Sequence, residues 1–310
     1  AAERTDLSAA DLAGWLLARG QLNDHRLLWL LLGGSLLYCG GMILNDAADA
    51  GWDREHRKER PIPRGDVSVG AAWGAGLMML TFGCVAMQVF GGASAPLVGL
   101  LALCILIYDL HHKQWVGSIF VMGACRMLLY LVAASPVLKH LAFWFGGSTT
   151  HMIFCESLFS PTTFTSEPTL LDAPSGNPML AAIVLGSYVV GVTLLARWEG
   201  KRIANGSRLA LAVVLLSAPA FLCLAGAPLS IDSFIFGRLP LLAVFVALLA
   251  NAIRIMRQGG PSIGRAVGIL LAGIAVVDGL AVASVSFPLA CGFVALAPLL
   301  RLWQRWVAAT

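Results

Sequence analysis

The sequence predicts an all-α fold, a polytopic membrane bundle of nine or ten transmembrane helices, on three observations. Of its 310 residues 58% are hydrophobic and only 12% are charged, and the mean hydropathy is +0.80, well outside the range of soluble domains. Apolar windows of helix-spanning length recur from end to end, as a hydrocarbon core of roughly 30 Å requires of chains that must satisfy every backbone N–H internally. Finally, the lysines and arginines fall on alternate sides of those windows, as the bias of Lys and Arg toward the cytoplasmic side of short loops demands.

Ten windows qualify: 7–22, 27–44, 69–90, 94–110, 116–135, 179–196, 208–226, 236–256, 265–284 and 286–303. The first is short enough that it can also lie at the interface. With the N-terminus inside, sixteen basic residues fall in the inner connections and four in the outer ones, Arg19, Arg26, Lys139 and Arg238, while Arg126 lies within a span. This asymmetry predicts the inner or plasma membrane with the loop after the second span cytoplasmic. It also accounts for the net charge of +4 without any nucleic-acid partner. A single domain is expected over 1–310. Residues 136–178, rich in Ser, Thr, Pro and Gly, interrupt it as a long non-cytoplasmic loop between the fifth and sixth spans. The seven cysteines are scattered mostly through apolar segments without a C-x-x-C pair and read as small core residues.

Charge concentrates in one place, residues 45 to 65, NDAADAGWDREHRKERPIPRG. Asn45, Asp49 and Asp53 are four residues apart, so on a helix they form one stripe, with Asp46 beside it. Oxygen donors on one face where the second span ends suit a hard cation. Mg²⁺ takes one or two carboxylates and completes its octahedron with water and phosphate oxygens. Arg54, Arg57, Lys58, Arg60 and Arg64 follow at once, and guanidinium forks match phosphate oxygens. Carboxylates for a metal beside arginines for an anion imply a metal-bound diphosphate. An ordinary solvated turn would explain the basic residues by topology, but gives no reason for the acids at helical spacing.

The run Asn45-Asp46-x-x-Asp49-x-x-x-Asp53, followed by Arg60-Pro61-Ile62-Pro63-x-Gly65, resembles the first aspartate-rich signature of UbiA-type intramembrane prenyltransferases, in its place after the second span. The resemblance implies a helical bundle around a membrane-embedded apolar cavity. It also implies a polar cap that binds an isoprenyl diphosphate through Mg²⁺, with transfer of the prenyl group to an aromatic or lipid-like acceptor amid membrane lipids. Asn45, Asp46, Asp49 and Asp53 are then expected on the metal, and Arg57, Arg60 and Arg64 on the diphosphate.

A second stretch, YDLHHKQWVGSIFVMGACR (108–126), resembles the family's tyrosine-and-lysine loop, which assigns Lys113 to the diphosphate. Arg126 lies inside an apolar helix, where a charge normally faces the bundle interior, so it is expected near the acceptor, with Asp278 as the alternative partner of a buried pair. The family's second aspartate-rich motif corresponds to SYVVGVTLLARWEGKR (187–202), where Asp is absent and Glu199 is the one acid. Glu199 is the expected second metal ligand, with Arg197, Lys201 and Arg202 meeting the diphosphate directly. Tyr108-Asp109-x-x-x-Lys113, Met122-Gly123-x-Cys125-Arg126 and this glutamate-only motif are together similar to the EboC-type branch of UbiA-like proteins. Two functions are therefore expected to compete: a Mg²⁺-dependent prenyltransferase using Asp49, Asp53, Arg60, Lys113 and Arg126, and a non-catalytic membrane component that binds or helps export an isoprenoid-type metabolite.

Overall fold

The computed structural model describes residues 2–18, 20–112, 115–138, 178–197, 206–225, 237–258 and 262–303, all of them helical or connecting. A helix overlies each of the ten windows: α1 (Ala2–Leu17), α2 (His25–His56), α4 (Val69–Val85), α5 (Ala95–His111), α6 (Ser118–Ala134), α7 (Pro178–Ala196), α8 (Gly206–Ala225), α9 (Leu239–Met256), the broken pair α10 (Ser262–Ala272) and α11 (Ile274–Val282), and α12 (Phe287–Trp303), with the short α3 (Pro61–Arg64) between α2 and α4. Among the described residues five spans are long and apolar enough to cross a membrane: α2, α4 with its π-helical extension to Phe90, α7, α9, and α10 with α11. Shorter apolar helices accompany them. The expected loop 136–178 lies almost wholly outside the described residues.

α2 organises the site. Asp24 caps its N-terminus by accepting from the Arg26 N–H. At 1.5 Å per residue its 32 residues extend about 48 Å, well past a 30 Å hydrocarbon core. The predicted span ended at 44; the helix continues to His56, so the acid stripe is helical and stands at the polar end. Arg60-Pro61-Ile62-Pro63-Arg64-Gly65 then folds as one tight turn of helix. Pro61 sits at its first position, where no N–H is needed, and Gly65 ends it with φ 89°, a left-handed conformation that favours glycine.

The helices approach closely through glycine. A Cβ on Gly40 would stand 2.9 Å from the Gly76 carbonyl oxygen, and one on Gly83 2.9 Å from that of Gly33, which brings the backbones of α2 and α4 together seven residues apart on each helix. Gly123 and Gly186 do the same for α6 and α7. Gly14 meets the Tyr130 carbonyl oxygen, seating α1 on α6. Trp15, Tyr130, Tyr188, Phe245 and Leu44 are fully buried at the helix contacts, while Leu28, Val89, Phe120 and Val214 face outward, as lipid permits.

Candidate functional site

The site forms where α2 leaves the bundle beside the connection between α5 and α6. Asn45, Asp49 and Asp53 lie along one stripe of α2, as their spacing predicts. Arg60, at the start of α3, folds back onto it: one guanidinium nitrogen donates to Asp46 Oδ1 and to Asp53 Oδ2, each at 2.9 Å. Asp53 is buried, so this contact closes a charge pair at the α2–α3 corner, while the Asp46 arm is exposed. Arg60 and two of the predicted metal ligands therefore bind one another in this arrangement.

The inner part of the stripe is different. Asn45 Oδ1 is buried without a hydrogen-bond partner, and so is Asp109 Oδ2 on α5. Gly41, one turn before Asn45, leaves room for that carboxylate; a Cβ there would stand 3.7 Å from it. Asp49 is near enough to act electrostatically on Asp109, and its Oδ2 lies 3.9 Å from His112 Nε2. The His112 ring stacks on Tyr108 with centroids 5.2 Å apart. Orphaned buried acceptors are rare because each leaves a desolvation penalty of about 1–3 kcal/mol uncompensated. Among the described residues no three His, Cys, Asp or Glu converge tightly enough to hold a metal by themselves. Asn45, Asp49 and Asp109 nonetheless form an oxygen-only set of the kind Mg²⁺ uses together with substrate oxygens.

Arg197 reaches this region from α7. Its Nη2 donates to the carbonyls of His112 (2.7 Å) and Trp115 (3.1 Å) and to Ser118 Oγ (2.5 Å). It thus latches the connection that carries Lys113, rather than standing open to an anion. Arg64 is paired with Asp66 at the surface, an interaction that raises its pKa above the ordinary arginine value. Arg57 is exposed beyond the end of α2. Lys113, Glu199, Lys201 and Arg202 lie outside the described residues.

Deeper in the bundle, Asp278, the alternative partner for Arg126, accepts from the Tyr130 hydroxyl at 2.5 Å. Arg126 is 9% exposed, with Nη1 lacking a hydrogen-bond partner. Asp109, His112 and Asp11 were not expected as site residues. The signal for the first and last was in plain sight, an acid inside or at the end of an otherwise apolar window.

Residues 9–262 match the UbiA prenyltransferase family. Among curated proteins, the chain is 32% identical over 140 residues to the digeranylgeranylglyceryl phosphate synthase of Methanoculleus marisnigri, a match covering 44% of each chain. It is 37% identical over 82 residues to the protoheme IX farnesyltransferase of Geobacter sulfurreducens, covering 26% of this chain and 30% of that one. The aligned stretches thus span less than half the length of these relatives. Among solved structures, that of an apo UbiA homologue from Aeropyrum pernix superposes with TM-score 0.59 over 89% of this chain and 94% of that one, at 16% identity. That of a protein described for digeranylgeranylglyceryl phosphate synthesis superposes with TM-score 0.50 over 94% of this chain and 91% of that one, at 14% identity. Motif, helix order and family match agree: this integral membrane protein belongs to the UbiA prenyltransferase family.

Proposed function

We propose that the protein is an intramembrane prenyltransferase that moves an isoprenyl group from an allylic diphosphate to an aromatic or lipid-like acceptor, using Mg²⁺. The observation that carries this reading is the pair of buried, partnerless oxygens, Asn45 Oδ1 and Asp109 Oδ2, with Asp49 near enough to act on Asp109. Their donor set fits Mg²⁺, because that ion completes its shell with water and phosphate oxygens. When bound, the ion neutralises charge on the departing diphosphate.

The remaining work falls to the chain. Arg60 holds the end of α2 through Asp53 and keeps the stripe in register. Arg197 positions the connection that presents Lys113 to the diphosphate, and Arg57 and Arg64 meet it from the cytoplasmic side. Glu199, Lys201 and Arg202 complete the cap from the connection after α7. Fixed positive charge there compensates for the missing aspartates. The apolar bundle excludes water that would quench an allylic cation, and Arg126 faces the acceptor. The distribution of Lys and Arg supports placing this cap on the cytoplasmic side.

A second reading has a specific observation in its favour: no Asp occurs in 187–202. In it the protein keeps the diphosphate cap as a non-catalytic membrane component binding an isoprenoid-type metabolite. Purified protein in nanodiscs with farnesyl diphosphate, Mg²⁺ and an acceptor panel separates the two. Magnesium-dependent pyrophosphate release that Asp49→Ala abolishes establishes the enzyme. Tight binding without release supports the second reading, and neither binding nor release refutes both.

A further inference from the structure

Two ionisable side chains of opposite type lie buried in the bundle and do not meet. Asp11 on α1 is fully buried, and neither carboxylate oxygen has a hydrogen-bond partner. Arg126 on α6 is nearly as buried, and its Nη1 also has none. They are close enough to interact electrostatically, and α1 touches α6 at Gly14 and Tyr130, one turn further along each helix. Yet among the described residues no ion pair within 4.0 Å joins them. A purely structural pair in a low-dielectric interior closes, because each buried polar group left without a partner there is costly. Tyr130 and Asp278, one turn away, have closed to 2.5 Å.

The gap belongs to the same wall as the cap. A Cβ on Gly34 would sit 2.1 Å from Asp11 Oδ2, so α2 is cleared of side chain where the carboxylate points. Gly34, Gly41 and Asn45 are spaced seven and four residues apart and share one face of α2. Asp11, Asp109 and the metal stripe thus border one side of that helix, with Asp11 about 16 Å along it from Asn45.

We propose that Asp11 and Arg126 form a second polar subsite that holds a hydroxyl group of the substrate, remote from the reacting atom. A hydroxyl oxygen accepts from the Arg126 N–H while its O–H donates to an Asp11 carboxyl oxygen, which satisfies both side chains through one small group. An ether accepts but cannot donate, and a hydrocarbon does neither. The subsite therefore selects for hydroxyl-bearing substrates, because a partner lacking the group leaves buried polar atoms unpaired. That the hydroxyl compound is a substrate rests on the prenyl-transfer reading; the hydroxyl preference does not.

The test compares equilibrium binding of tritiated dodecanol and its methyl ether to the full chain in nanodiscs, corrected for empty nanodiscs. Wild type is expected to bind the alcohol roughly tenfold more tightly or better. In Asp11→Leu/Arg126→Met the preference falls to within about twofold, a loss of the hydrogen bonds to both side chains. Replacing a buried pair with apolar side chains of similar size generally preserves folding. Asp11→Asn, of nearly unchanged shape, serves as the second variant and reduces the preference several-fold. No preference in wild type, or a preference that survives in both variants, overturns the proposal. Farnesyl diphosphate binding to wild type and Asp49→Ala, measured in parallel, reports on the metal-diphosphate reading separately.

Discussion

Arg60 donates to Asp53 at 2.9 Å across the α2–α3 corner, and the carboxylate it meets is only 2% exposed. The contact explains why an Arg-Pro-Ile-Pro-x-Gly run follows the acid stripe. Two prolines and a left-handed glycine fix a single turn of helix whose N-cap, Arg60, returns its side chain to α2.

Removing that arginine strands a buried carboxylate. Arg60→Ala is expected to destabilise the protein by about 2 kcal/mol, read as a lower Tm in detergent, with Arg60→Lys recovering part of the loss. Asp46→Asn removes the exposed arm of the same clamp and shifts stability by about 0–1 kcal/mol.

Arg197 makes three bonds to the α5–α6 connection, so Arg197→Ala releases the segment that carries Lys113. The expected outcome is a fall of about 10- to 100-fold in kcat/KM for the allylic diphosphate, expressed mainly in KM. Arg197→Lys restores only part of it, since an ammonium lacks the planar fork. Steady-state pyrophosphate release at varied diphosphate concentration reads the split.

Glycine at the α6–α7 contact is irreplaceable for steric reasons. In Gly123→Ala the new methyl would stand 2.5 Å from Val190 Cγ2 and 2.8 Å from the Gly186 carbonyl oxygen, and a loss of about 1–3 kcal/mol follows. Gly99→Ala on α5 meets nothing within 4 Å and is expected to leave Tm unchanged or raise it slightly. Thermal unfolding of the two variants side by side checks the contrast.

At the start of α2, burial pushes the Asp24 carboxyl upward, but side-chain and backbone hydrogen bonds from Arg26 and the nearby His25 outweigh it and hold its pKa below the ordinary value. Its stabilising contribution is therefore complete above the unfolded value of about 3.9 and is lost as pH falls through the lower folded one. Asp24 is only partly buried and its partner Arg26 is 40% exposed, so the effect is small. Tm profiles of wild type and Asp24→Asn should differ at neutral pH and converge in acid.

Pyrophosphate release should also depend on the orphaned oxygens. Asn45→Ala and Asp109→Ala are each expected to lower it by on the order of 100-fold and to raise the Mg²⁺ concentration needed for half-maximal rate. A magnesium titration of both variants measures this.

Local chemistry was legible in the sequence. Apolar length placed a helix over each window, because a hydrocarbon core of fixed thickness demands such runs, and four-residue spacing put Asn45, Asp49 and Asp53 on one face, because helical period is a property of neighbouring residues. Partnership was not legible. Arg60 binds the acids it was expected to stand beside, Arg197 holds backbone carbonyls more than eighty residues away, and Asp278 takes Tyr130 instead of Arg126. Which charges close on one another depends on where glycines let helices touch. Gly14 seats α1 on α6, and Gly34 clears α2 for Asp11, so the split pair of Asp11 and Arg126 exists only once those three helices are packed.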